Sequence, residues 1–146
     1  QFRRDAVTDL VRRLYLKIDK SSTNVKLSAA VKPNIIDAKN RWYQEWGNWI
    51  QEGIIDFVVP MNYFKEISIF NNTFQIMKAN LSNEDLELVV VGIATYNQDA
   101  QSAADKIFLT RQNGFKGVSI FSWNSHNNNL DWFKPINDAL GQPSFD

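Results

Sequence analysis

GIIDFVVPMNY, residues 53–63, decides how the rest of the chain reads. From Gly53 to Met61 the only polar residue is Asp56. The run Ile54 to Met61 is too short and too apolar for a surface helix. It therefore predicts a strand buried on both faces, as parallel sheets require. Just upstream, a helix is expected over roughly Ile36 to Gln51, with Trp42, Trp46, Trp49 and Ile50 on one stripe and its stop at Gly53. Core packing is the expectation for these three tryptophans.

The same alternation recurs on both sides of this strand. Phe2, Ala6, Val7, Leu10, Val11, Leu14 and Ile18 have helical spacing, with Arg3, Arg4, Arg12, Arg13 and Lys17 mostly on the other faces. Turn residues Ser21, Ser22, Thr23 and Asn24 lead into a short strand, Val25 to Val31, which Pro33 and Asn34 end. Downstream, Phe70, Phe74, Met77 and Leu81 suggest a helix, and Glu87 to Thr95 reads as a second buried strand. Ala103, Ala104, Ile107, Phe108 and Arg111 form the next helix, closed by Gly114; Gly117 to Trp123 is the last strand, and Trp132, Phe133, Ile136 and Leu140 supply a final helix.

Strands thus start roughly every 30 residues, which matches about 250 residues shared among the eight units of a TIM barrel. An open doubly wound sheet competes, but it usually starts with a strand, and this chain starts with a helix. The expected fold class is α/β: residues 1–146 form a single partial domain, the C-terminal half of a (β/α)8 TIM barrel, strands five to eight. With Gln1 inside a helical pattern and no apolar signal core, the chain is expected to be cut from something larger.

Sixteen basic and sixteen acidic residues cancel, leaving no field to recruit a polyanion, so nucleic acid is excluded as an expected partner. No stretch reaches the roughly 20 apolar residues of a transmembrane segment. The absence of cysteine removes thiolate metal sites and thiol nucleophiles and leaves the redox compartment open. Five Trp within 13% aromatic content suit either core filling or the stacking of pyranose faces.

Trp42, Trp46, Trp49, Ile50, Gly53, Ile55, Asp56, Phe57, Pro60, Met61 and Tyr63 together resemble bacterial glycosyl-hydrolase-like proteins related to glycoside hydrolase family ten, a group that includes peptidoglycan-cleaving lipoproteins. Phe2, Arg3, Arg4, Asp5, Val7, Val11 and Ile18 resemble that family's Trp-Arg-Arg helix, with Phe2 in place of Trp. Gly92, Ala94 and Tyr96 resemble its seventh strand; Arg111, Gly114, Phe115, Gly117, Phe121 and Ser122 resemble the approach to its eighth. One stretch departs from it: Ala30, Val31, Lys32 and Pro33 stand where the family has a Ser-Pro-Phe-Gly-like turn, so contacts there are expected to differ. Met61, Asn62, Tyr63 and Trp123 are also similar to chitinase-like barrels, with a Met-x-Tyr pair on the sixth strand and a Trp ending the eighth. Both resemblances imply an acidic catalytic cluster at the end of the fourth strand, before Gln1. The first also implies a secreted, periplasmic or cell-envelope location.

In a barrel the functional face lies at the C-terminal strand ends. Candidate substrate-binding residues there are Lys32 and Asn34; Asn62 and Tyr63; Tyr96 and Asn97; and Trp123 and Asn124, with His126 beyond. Tyr63 can stack on or hydrogen-bond a sugar, or be a core tyrosine; Trp123 is the leading stacking candidate. This mixture suits a neutral polyhydroxylated ligand better than a phosphate. Glycosidic cleavage needs two carboxyl groups roughly 5 to 10 Å apart. Asp37 and Glu66 are the tolerable candidates, with Tyr63 directed at the reacting centre by the chitinase resemblance; Asp56 begins a buried strand and Asp99 caps a helix. His126 is the single histidine, and no metal or other cofactor is expected. Asn71-Asn72-Thr73 and Asn80-Leu81-Ser82 fit the N-glycosylation triplet.

The leading expectation is a glycoside hydrolase acting on O-glycosyl bonds of a bacterial polysaccharide or peptidoglycan glycan. This chain supplies the sugar-binding half of the cleft and is inactive without an N-terminal half-barrel. The rival is a non-catalytic carbohydrate-binding or scaffold module.

Overall fold

The structure, a computed structural model, describes residues 1–19 and 24–141. The turn expected at Ser21, Ser22 and Thr23 lies outside the described residues. Helix α1 (Phe2–Asp19) precedes four strands, β1 (Ser28–Val31), β2 (Phe57–Pro60), β3 (Val90–Ala94) and β4 (Gly117–Phe121). Helices α2 (Ile35–Arg41) and α3 (Trp46–Gln51) follow β1; α4 (Ile67–Lys78) and the single turn α5 (Asn83–Leu86) follow β2; α6 (Ala100–Gln112) follows β3. After β4 come two 3-10 turns, Trp123–Ser125 and Leu130–Phe133, and then α7 (Lys134–Gly141).

Among the described residues all pairings are parallel, and neighbours follow chain order. β1 runs beside β2 from Ser28↔Phe57 to Val31↔Pro60, and β3 beside β4 from Val90↔Gly117 to Ala94↔Phe121. Between β2 and β3 the ladder thins to two bridges, Val58↔Val89 and Met61↔Gly92. Pro60 explains the gap. Alternate residues of a strand direct their N–H groups to opposite neighbours. Val58 N–H donates toward β3, to the Leu88 carbonyl at 2.9 Å, whereas Met61 N–H donates toward β1, to Val31. Residue 60 shares the direction of residue 58, and proline has no N–H to give. Close approach replaces the lost bond: a Cβ on Gly92 would lie 2.9 Å from the Pro60 carbonyl oxygen. The result is an α/β chain of parallel strands and helices, consistent with part of a TIM barrel. Among the described residues β1 pairs only with β2, and β4 only with β3.

The core lies between the sheet and its helices. Val58, Val91 and Ile93 from the strands and Val89 just before β3 meet Trp46, Phe70, Phe74, Met77 and Ile107 from α3, α4 and α6, all fully buried. Each such side chain contributes roughly 1.5–3 kcal/mol of burial. Gly53 and Gly114, at φ 65 and 78, end α3 and α6 in the left-handed conformation that glycine adopts without a Cβ penalty.

Boundaries differ from expectation in physically readable ways. β1 starts at Ser28 rather than Val25, which is 56% exposed. The other three strands are shorter too, and Trp123 opens a 3-10 turn instead of ending β4. The single helix expected over Ile36 to Gln51 is two helices, because Tyr43 takes a positive φ of 59 and turns the chain out of the helix after Arg41. Helix α5, closed by a capping box between Ser82 and Asp85, is an addition.

Candidate functional site

A cleft of about 390 Å³ opens at the C-terminal ends of β1 and β2, lined by Lys32, Pro33, Asn34, Asp37, Trp42, Met61, Tyr63 and Phe64. Its first wall is the β1–α2 loop. Lys32 N–H donates to Gln44 Oε1 at 2.9 Å, and the Lys32 carbonyl accepts Trp46 Nε1 at 3.1 Å. A fully buried indole thus anchors that backbone to the core. Asn34 Oδ1 accepts the N–H groups of Ile36 and Asp37 at 3.0 and 3.1 Å, capping α2 and placing Asp37 in its first turn at the cleft.

Trp42 is a correction. Helical periodicity placed it with Trp46 and Trp49 in the core, but it is 52% exposed and lines the cleft with the Lys32 Nζ 4.3 Å above its ring. Once the helix ends at Arg41, the period that put Trp42 on the buried stripe no longer applies. Trp46 and Trp49 do lie in the helix-to-sheet layer, and Trp49 Nε1 donates to Thr8 Oγ1 of α1 at 2.9 Å.

The second wall is the β2–α4 loop, held from beneath by residues that follow β3. Asn97 Nδ2 donates to the Tyr63 carbonyl at 2.8 Å. Lys106 donates to the carbonyls of Phe64 and Lys65 at 2.7 and 2.8 Å and also to Gln98 Oε1. Burial pulls the Lys106 ammonium below the usual lysine range, with Glu66 and Asp99 opposing that shift. Sequence reasoning missed this residue, because on α6 it reads as one more solvated lysine. Asn62, expected to bind substrate, is 1% exposed instead: its Nδ2 bonds the Phe70 carbonyl and Thr73 Oγ1, tying the loop to α4. The Oδ1 atoms of Asn62 and Asn97 are buried without a protein partner.

Tyr63 links the cleft to the ends of β3 and β4. Its ring stacks on Phe121 (centroids 5.6 Å apart, planes at 10°) and meets Tyr96 edge-on at 6.4 Å. Burial, and secondarily Tyr96, raises the Tyr63 hydroxyl above the ordinary tyrosine value, so it acts as a neutral hydrogen-bonding group near neutrality. Phe121, which sequence reasoning did not select, completes this trio; its position as the last residue of β4 was the available signal.

Trp123 belongs to a second aromatic group. It stacks on Phe133 at 4.7 Å and remains 56% exposed, while His126 stacks on Trp132 at 3.8 Å and donates through Nε2 to the Thr95 carbonyl at 3.0 Å. Thr95 Oγ1 also bonds the Ser122 N–H and carbonyl, binding the ends of β3 and β4 together. Asn124 is exposed in the turn after Trp123.

The carboxylates divide clearly. Asp37 lines the cleft. Glu66 is exposed ahead of α4 and makes no capping bond. Asp56 accepts Leu27 N–H at 2.7 Å and pairs with Lys26 at 3.0 Å, fastening the start of β1 to β2. Asp99 caps α6 through Ser102. A smaller hollow of about 180 Å³ sits in the helix layer beside Ile35 and Asn48, away from the strand ends. No helix among the described residues is long and apolar enough to cross a membrane.

Comparison with protein families gives one assignment: the model described as glycosyl hydrolase-like 10 matches residues 1–110, spanning α1 to most of α6 and therefore every residue of the cleft. Strand β4 and the Trp123 group lie beyond the matched stretch. No curated protein matches the chain.

Proposed function

This chain belongs to the glycosyl hydrolase-like 10 family, and we propose on that footing that it is the carbohydrate-holding half of a barrel whose parent protein hydrolyses O-glycosyl bonds of a bacterial polysaccharide or peptidoglycan glycan. In this reading β1 to β4 are strands five to eight of a (β/α)8 barrel and residues 1–146 are one partial domain. The outer edges of β1 and β4 take strands from an N-terminal half-barrel.

The observation that carries the reading is the cleft. It sets the exposed Trp42 and the neutral Tyr63 among an ammonium, an amide and a carboxylate at the strand ends. Aromatic faces with a few fixed polar groups suit a pyranose, which has apolar faces and a hydroxyl rim. Lys32, Asn34, Tyr63 and Asp37 hold the first sugar. Tyr96, Trp123 and Asn124 extend the surface along the ends of β3 and β4, with Asn97 supporting it from beneath.

Cleavage needs two carboxyl groups, and among the described residues Asp37 is the one carboxylate lining the cleft. The acid pair is therefore assigned to the other half-barrel, and the 146-residue chain alone turns nothing over. The same observation favours a second reading, a non-catalytic carbohydrate-binding module. End-labelled oligosaccharides incubated with the intact protein separate the two. Hydrolysis that disappears in Trp42→Ala and Tyr63→Ala supports the hydrolase. Binding without turnover supports the module. Absence of binding overturns both.

A further inference from the structure

Among the described residues Lys32 is the one cation lining the cleft, and a neutral sugar leaves its charge unmatched. Its backbone is fixed on both sides, by Gln44 at the N–H and by Trp46 at the carbonyl, so its side chain starts from a fixed point at the cleft. The ammonium rests 4.3 Å from the centroid of the Trp42 ring. Two other lysines near β1 and β2 have carboxylate partners: Lys26 pairs with Asp56 at 3.0 Å and Lys39 with Glu45 at 3.3 Å. Among the described residues no carboxylate lies within ion-pair distance of Lys32.

Resting on the carbohydrate reading above, we propose that this cleft selects a glycan bearing a carboxylate, with Lys32 as the residue that recognises the charge and Trp42 as the platform for the ring that carries it. A cation over a half-exposed indole is held weakly, whereas an ammonium hydrogen-bonded to a carboxylate is held more strongly. An entering acidic sugar therefore draws Lys32 off Trp42. The movement leaves one face of the indole bare at the moment a pyranose can cover it. The two events are coupled because the same side chain leaves the ring and meets the charge. Asp37, on the same cleft, accepts ligand hydroxyls.

The test compares glycans alike except for charge. Affinities of the intact protein are measured by titration calorimetry for β-1,4-linked tetrasaccharides of glucose, N-acetylglucosamine and glucuronate, the last also as its methyl ester. The expected result is about tenfold tighter binding of the glucuronate than of its ester at low salt, a preference that shrinks as salt is raised. Lys32→Met brings that ratio to within about twofold of unity, and Lys32→Arg restores it. Equal affinity for acid and ester, or an unchanged ratio in Lys32→Met, overturns the proposal while leaving the carbohydrate reading standing. Failure of every tetrasaccharide, charged or neutral, overturns the carbohydrate reading and this proposal with it.

Discussion

The two ends of the candidate face are built by different physics. At the ends of β1 and β2, the loops are gripped by directional polar bonds from buried groups, with Trp46 on the Lys32 carbonyl, Asn97 on that of Tyr63, and Lys106 on those of Phe64 and Lys65. At the ends of β3 and β4, the surface is largely rings on rings, with Tyr63, Tyr96 and Phe121 in one group and Trp123, His126, Trp132 and Phe133 in the other. A polar grip fixes a backbone in one place and is costly when half broken. A stack tolerates sliding and loses little when one exposed member is removed. A cleft that must hold a ligand in one pose needs the first kind of support, and an extended surface along a polymer can use the second.

Breaking the polar grip should produce the largest effect. Lys106→Met keeps the length of the stem but strands the carbonyls of Phe64 and Lys65 and the Gln98 amide oxygen, and it should cost about 3 kcal/mol in chemical denaturation. It should also weaken ligand binding in the cleft, since Phe64 and Tyr63 line it. A loss below about 1 kcal/mol would show that the loop holds itself. By contrast, Trp123→Ala should cost only about 1 kcal/mol, because the ring is already half in solvent and loses mainly its contact with Phe133. If the two variants prove equally destabilising, the contrast between the two ends fails.

Acid titration sharpens the comparison with a smaller effect. Asp56 ties the starts of β1 and β2 together and Asp99 follows β3 at the candidate face, and both are held below the ordinary value of 3.8. Burial alone would raise Asp56, but the Leu27 N–H and the Lys26 ammonium outweigh it. For Asp99 the Ser102 N–H dominates, followed by the Ser102 hydroxyl. A carboxyl depressed in the fold contributes stability that is complete above its unfolded value and disappears as pH falls through the folded one. Stability should therefore decline below about pH 5, and Asp56→Asn should flatten that decline more than Asp99→Asn, because Asp56 is half-buried and paired with a cation. Equal flattening would show that the partly buried ion pair of Asp56 adds nothing beyond the exposed helix cap of Asp99.

Much of the fold was legible because burial on two faces and helical spacing are local properties. The run Ile54 to Met61 announced a strand of a parallel sheet, and Gly53 and Gly114 marked helix stops where a positive φ is required. Strand ends were harder, since the last residues of an apolar run leave a ladder according to what lies beside them; Val25 and Trp123 were both read one segment too far. Of the candidate site, Lys32, Asn34, Asp37 and Tyr63 could be selected from position alone, because residues just after parallel strands share one end of a sheet. Asn62 occupied such a position too, yet its side chain turned inward to Phe70 and Thr73.

By itself the sequence determined the order of the four strands and their parallel sense, since each follows from periodicity and from the crossover between successive strands. The tertiary structure decided what the site is made of. Trp42 reached the cleft through a single backbone angle at Tyr43, which no periodicity encodes. Lys106 became a buried clamp because two of its acceptors come from residues 42 and 41 positions away. A charged side chain can be buried only where such partners converge, and that convergence exists only once the chain has folded.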